Sequence, residues 1–279
     1  MARHPRGLAR LALHYLMLAP FILFALFPMF WLIKVSVTPT ALLYSEGVRM
    51  WPSDTTLDNF RFVLTASDFP LYFRNSLIVS GFTSFFTVII AALCGYAFSR
   101  IGFRGKSVIV AFMLVTQMFP LVMLIAPMFR ILQPLGLTQS LAGLIIVYTA
   151  FNVPFATFLM QSFFDGIPRE LDEAAMIDGH SRAGAFLHIV LPLTLPGLAA
   201  TLGFVFTAAW SELLFALMLL SGSSNATFPV GLLSFVSRFS VDFGQMMAAG
   251  VLALVPAAAF FLLIQRYLVQ GLTAGAVKG

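Results

Sequence analysis

Between Asn75 and Ser99 the chain runs without one Asp, Glu, Lys or Arg, and it does so again over 107–129 and 140–163. Nothing else in the sequence limits the fold so strongly. A hydrocarbon core about 30 Å thick is crossed by roughly 20 apolar residues in helical form. In lipid, every backbone N–H and C=O must find a partner inside the protein, which a helix provides within one segment. Comparable runs lie at 12–35, 193–220 and 246–269, interrupted only by Lys34, Glu212 and Arg266. Hydrophobic side chains make up 60% of the 279 residues, against about half in soluble domains, and the mean hydropathy is +0.96. The expectation is an all-α integral membrane protein: six transmembrane helices, at about 12–35, 73–99, 107–129, 140–163, 193–220 and 246–269, in a single domain over 1–279.

The net charge of +5 invites a nucleic-acid reading until the basic residues are placed. They sit at helix ends, where the excess of Lys and Arg on cytoplasmic loops accounts for them. With the N-terminus inside, the cytoplasmic set is Arg3, Arg6, Arg10, Arg100, Arg104, Lys106, Arg169, Arg182, Arg266 and Lys278. Lys34, Arg49, Arg61, Arg74, Arg130 and Arg238 fall outside. Both termini and the segment 165–192 are therefore expected in the cytoplasm, and the expected surroundings are a lipid bilayer, with no nucleic acid. The arginines before the first apolar run could open a signal peptide, but the run is too long and lacks a small-x-small cleavage site. An uncleaved first helix is expected. The outside segments 36–72 and 221–245 are long and polar to aromatic.

Several chemistries are absent from the sequence. No G-x-x-x-x-G-K-[ST] loop is present to cradle nucleotide phosphates. His4, His14, His180 and His188 have no metal-ligand spacing, and no nucleophile elbow, zinc-protease motif or paired-carboxylate site occurs. Cys94 is the single cysteine, so no internal disulfide can form. The chain is not expected to be an enzyme, to bind a cofactor or to hold a metal.

Against this background, "RELDEAAMIDG" at 169–179 is out of character, with Glu170, Asp172, Glu173 and Asp178 in eleven positions. Pro168 suits a first helical turn, and the early carboxylates favour the positive end of the helix dipole. Gly179 suits a left-handed C-terminal cap, and Ser181 can cap a second short helix. Interfacial helices that lie on lipid usually present basic faces. An acidic one, with small alanines allowing close approach, points to a protein partner.

Polar groups within the spans form a second set. A charge near the bilayer centre costs about 2.5–3.5 kcal/mol on insertion scales and normally faces a bundle interior or cavity. Glu212 fits either a translocation route or a packing role. Gln117 and Asn152 are weaker candidates, since amides also bridge helices. Trp210 could stack on a sugar ring or simply pack. Ser211 lies between these last two. Pro120, Pro127 and Pro154 interrupt backbone bonding within spans.

The stretch "EAAMIDGHSRAGAFLHIVLP" resembles the EAA motif of ABC-importer permeases, with Glu173, Ala174, Ala175, Gly179, Ile189, Leu191 and Pro192 at the family spacing. "TLDNFRFVL", "FRNSLIVS", "GYAFSRIGFRGK", "LGLTQSLAGLII", "IPRELDEAAMIDG" and "GLTAGAVKG" extend the likeness to the maltose-type carbohydrate permeases, and within them to the smaller, six-span subunit of the pair. The resemblance implies a coupling helix between spans four and five, with Glu173, Ala174, Ala175, Asp178 and Gly179 at a cytoplasmic ATPase. It implies as partners a second permease in a heterodimer, two ATPase copies binding ATP and Mg, and an extracytoplasmic solute-binding protein. It implies a bacterial-type inner membrane and a main sugar site mostly in the partner permease. One departure is Trp210-Ser211-Glu212, where the family commonly reads Trp-Asn-acidic. Gln117, Asn152, Trp210, Ser211 and Glu212 remain the pathway candidates. The alternatives are an ABC permease for a non-sugar solute and an ion-coupled secondary transporter using Glu212.

Overall fold

The computed structural model describes residues 5–237 and 240–276, with side chains over 14–237, 240–265 and at 267. Arg3, Lys278 and the side chains of Arg6, Arg10, Arg238 and Arg266, which enter the charge argument for orientation, lie outside the described residues. Those described are helical or irregular, apart from one isolated bridge between Val236 and Val241. Four helices are long and apolar enough to cross a membrane: α1 (Pro5–Ser36), α4 (Phe69–Arg100), α7 (Leu141–Asp165) and α14 (Phe243–Ala276). Two bent pairs raise the number to six if each is one crossing. One is α5 (Lys106–Met118) with α6 (Leu121–Leu132), bent by 104°. The other joins Arg182–Leu193 to α11 (Leu195–Ser211) at 75°.

Helical breaks at Phe119–Pro120 and at Glu212 interrupt the apolar runs 107–129 and 193–220, the first at one of the prolines expected to interrupt backbone bonding. Pro120 lacks an N–H and crowds its predecessor out of the helical region, and Phe119 stands at φ −75° and ψ 131°. The helix stops there. In the later run, at the opposite end of α11 from the 75° bend, α11 ends at Ser211, Glu212 turns extended at φ −73° and ψ 128°, and a short α12 (Leu214–Leu220) follows. Sequence periodicity cannot register such a break, because the flanking residues are apolar on both sides.

The chain divides into two compact units. The first comprises 1–70 and 232–254. Within it, Asn59 of α3 (Asp58–Thr65) donates to the carbonyls of Ser36 and Thr38 at 2.9 and 3.0 Å, capping the open end of α1. Gly244 lies against that amide, where an added Cβ would come within 2.8 Å. Glu46, just after α2 (Thr40–Ser45), accepts from the Ser53 hydroxyl and backbone N–H. The Ser53 hydroxyl bond is the main influence holding its carboxyl below the usual carboxylate range, with burial opposing.

The second unit comprises 71–231 and 255–279. Asn75 of α4 donates to the carbonyls of Ser224 and Ala226 at 2.9 and 3.0 Å, fixing the loop after α12. Two cores pack around α7. One gathers Leu144, Val147, Phe215 and Leu219; the other gathers Ala92, Ala156, Met160, Phe164 and Phe186. Close approach of helices is what drives association in lipid. At Gly95 an added Cβ would come within 2.9 Å of the Gln161 backbone nitrogen, so α4 and α7 touch there through a missing side chain.

Candidate functional site

The acidic stretch forms α8 (Glu170–Ile177), followed by α9 (Arg182–Ala185), one π turn (Phe186–Val190) and α10 (Leu191–Leu193). Gly179 sits at φ +93°, a conformation that only glycine adopts without strain. The Gly179 N–H donates to the Met176 carbonyl at 3.2 Å and the His180 N–H to the Ala175 carbonyl at 3.0 Å. This paired pattern is a Schellman cap. Ser181 then caps α9 by accepting from the Gly184 N–H at 3.1 Å. Glu173, Ala174, Asp178 and Gly179 are exposed and Ala175 is buried. Ile177 is 85% exposed, so the outward face mixes carboxylates with an apolar side chain.

What holds this helix was not singled out in the sequence. Asp172 points inward, accepting from Arg100 Nε at 2.9 Å and from the Tyr96 hydroxyl at 2.6 Å. Arg100 Nη2 also donates to the Ile167 carbonyl at 2.7 Å. Arg169 Nη2 reaches back to the Ser99 carbonyl at 2.9 Å, and the Ser99 hydroxyl donates to Asp165 at 2.5 Å. The acidic helix is thereby fastened to the end of α4. One available signal was the i, i+3 spacing of Asp172 and Ala175, which puts both on one face. Arg100 counted only as a topological charge. His180 and His188 stand with ring centroids 5.6 Å apart, and no metal-holding group occurs among the described residues.

A second site lies where the two broken spans meet α7. A cavity of about 300 Å³ is lined by Gln117 and Phe119 beside the α5–α6 break and by Glu212 at the α11–α12 break. Tyr148, Asn152 and Phe155 of α7 form another wall. Glu212 Oε1 accepts from the N–H groups of Leu214 and Phe215 at 2.8 and 3.1 Å. Oε2 accepts from the Ala216 N–H at 3.3 Å and from the Tyr148 hydroxyl. The carboxylate thus supplies partners for donors that the start of α12 would otherwise leave open. Asn152 donates to the Tyr148 carbonyl at 2.8 Å, and Gln117 to the Phe151 carbonyl at 3.4 Å.

The cavity brings together Gln117, Asn152 and Glu212 from the sequence candidates. It does not bring in the other two. Trp210 is buried among Phe73, Phe206 and Phe228. The Ser211 hydroxyl turns back to the Thr207 carbonyl at 2.9 Å. Tyr148 was missed because an aromatic residue in an apolar run carries no periodic signal.

Residues 87–274 match the family described as "Binding-protein-dependent transport system inner membrane component". The chain is 37% identical over 281 residues, spanning 100% of both chains, to the inner membrane ABC transporter permease protein YcjP of Escherichia coli. It is 39% identical over 259 residues to the trehalose/maltose transport system permease protein MalG of Thermococcus litoralis, covering 91% of this chain and 92% of that one. The fold is that of a chain in the crystal structure of a bacterial ABC transporter involved in the import of the acidic polysaccharide alginate. That match has a TM-score of 0.80 at 20% identity, over 96% of this chain and 99% of the other.

Proposed function

This chain belongs to the family of inner membrane components of binding-protein-dependent transport systems, and we propose that it is one permease of a heterodimeric, ATP-driven carbohydrate importer. The sugar assignment follows the similarity to a trehalose/maltose permease. The observation that carries the coupling role is α8, with Glu173 and Ile177 outward and Asp172 tied inward to Arg100.

The physical logic is that of a lever. Hydrolysis needs a nucleotide site, and this sequence has no phosphate-cradling glycine loop. ATP, with Mg, binds two separate cytoplasmic subunits. α8 docks on one of them with Glu173, Ala174, Asp178 and Gly179, whereas Ala175, expected beside them, packs inward. A docked helix can move its bundle only if it does not bend away under load. The Asp172–Arg100 pair and the Gly179 cap supply that stiffness, so displacement at α8 enters α4. The turn through Ser181 carries it into α11 as well. The rearranged bundle opens outward to receive sugar from an extracytoplasmic binding protein. This assignment places α8 and both termini in the cytoplasm.

The test is transport by the complex reconstituted in proteoliposomes with ATP inside. Glu173→Lys reverses one exposed charge and spares every bond that holds α8. Uptake should fall about tenfold or more, the equivalent of about 1.4 kcal/mol at the docking contact, while the permease keeps its thermal stability. Undiminished uptake by a stable Glu173→Lys complex would refute the docking role.

A further inference from the structure

We infer that the cavity between the two broken spans is a sugar subsite on this chain, fitted to a single uncharged ring and closed to anionic sugars by Glu212. The inference rests on the importer reading above and adds to it a site, a ring size and a charge preference.

Irregular backbone at membrane depth persists only where it is buried in protein or lines a polar cavity. Discontinuous helices whose broken ends converge near the midplane are a recurrent way of building solute sites in transporters. Here the breaks at Phe119–Pro120 and Glu212–Leu213 open on the same space. Its lining combines what a sugar ring needs. Phenyl groups offer apolar faces, with Phe155 stacked on Phe204 at 4.3 Å between centroids and Phe151 beside Phe215 at 5.1 Å. Gln117 and Asn152 commit their NH₂ groups to backbone carbonyls, and each keeps a carbonyl oxygen that accepts nothing from the described residues. Those two oxygens can take up ring hydroxyls. At about 300 Å³ the space matches the lower end of small-molecule sites, roughly 300–1,000 Å³. That is room for one sugar ring on this chain.

The charge preference comes from Glu212, the one acidic or basic side chain in the lining. Three backbone N–H groups and the Tyr148 hydroxyl all donate to it. These four donors hold the carboxyl in place against the wall of the cavity. No Lys or Arg is among the described residues lining the same space, so an acidic group between apolar walls disfavours an anion there. A uronate or sulfonated ring is repelled, whereas a neutral ring is not.

The experiment uses the complete complex in proteoliposomes, with Cys94→Ser removing the native thiol and Ala208→Cys placing a reporter in the cavity wall. Labelling is followed with a trimethylammonium and a sulfonate methanethiosulfonate of matched size, and their rate ratio is corrected by the ratio for free cysteine. The expected result is a preference of about tenfold for the cation. Adding Glu212→Gln should bring the ratio close to one. The neutral sugar that drives uptake, chosen from maltose and trehalose, should slow labelling where glucuronate does not. A corrected ratio near one before Glu212 is changed, or equal protection by glucuronate, overturns the inference. If Ala208→Cys prevents assembly, Thr116→Cys, in the same lining, reports in its place. Failure of the importer reading looks different: ATP then drives uptake of no sugar, whatever the labelling ratio.

Discussion

Asp172 and Arg100 lie 72 positions apart in sequence, and their side chains are almost fully withdrawn from solvent, at 9% and 6% exposure. Removing one partner of such a pair leaves a desolvated charge behind, which costs about 3–5 kcal/mol. Asp172→Asn should therefore lower the melting temperature of the detergent-solubilised chain clearly. Arg100→Met combined with Asp172→Leu should recover much of that loss, since the unpaired charge is gone. Gly179→Ala tests a different element of the same loop: a Cβ at φ +93° costs about 1–2 kcal/mol. The expected readout is faster amide exchange across α8 with the spans unaffected. At this scale the sequence was partly legible. Gly179 and Ser181 declared their roles through their chemistry, because caps are local. Asp172, Arg100 and Tyr96 did not, because their meeting depends on two helices arriving together.

Elements were easier to read than their interruptions. Apolar length alone located α1, α4, α7 and α14, since lipid leaves the backbone little choice. Pro120 marked its interruption in the sequence, but the one at Glu212 depends on whether freed backbone groups find other partners, which no window of apolar residues reveals. The contact of α4 with α7 is similarly silent in sequence: Gly95 looks like any membrane glycine. Gly95→Ile would drive a branched side chain into the α7 backbone, and overpacking of this kind costs about 1–3 kcal/mol. Reduced yield of folded chain and a lower midpoint in thermal melts are expected. In the segment after α2, the lowered Glu46 carboxyl gives a pH dependence. The stabilisation is present above the ordinary carboxylate range and is lost as pH falls through the lowered value. Protection of the Ser53 amide, its exchange rate relative to the intrinsic rate at the same pH, should accordingly be greater near about pH 7 than near about pH 3.

For the whole molecule the decisive question is where the driving force enters. A permease without a nucleotide loop that is moved through α8 must stop when ATP is exhausted. It must continue when a protonophore collapses the ion gradient. Measuring uptake in vesicles under both conditions separates this reading from an ion-coupled carrier, for which the two outcomes exchange.

The π turn at Phe186–Val190 bears on how such a chain can change in length over time. A turn of that kind accommodates one residue more than the α-helix it interrupts. The connection between the acidic helix and α11 thus holds a residue of slack, much as a rope holds a bight. A single insertion or deletion there can be taken up on the spot. The same change within α8 would swing its carboxylates about 100° around the axis. Deleting one residue at the bight should accordingly disturb the acidic helix less than deleting one inside it.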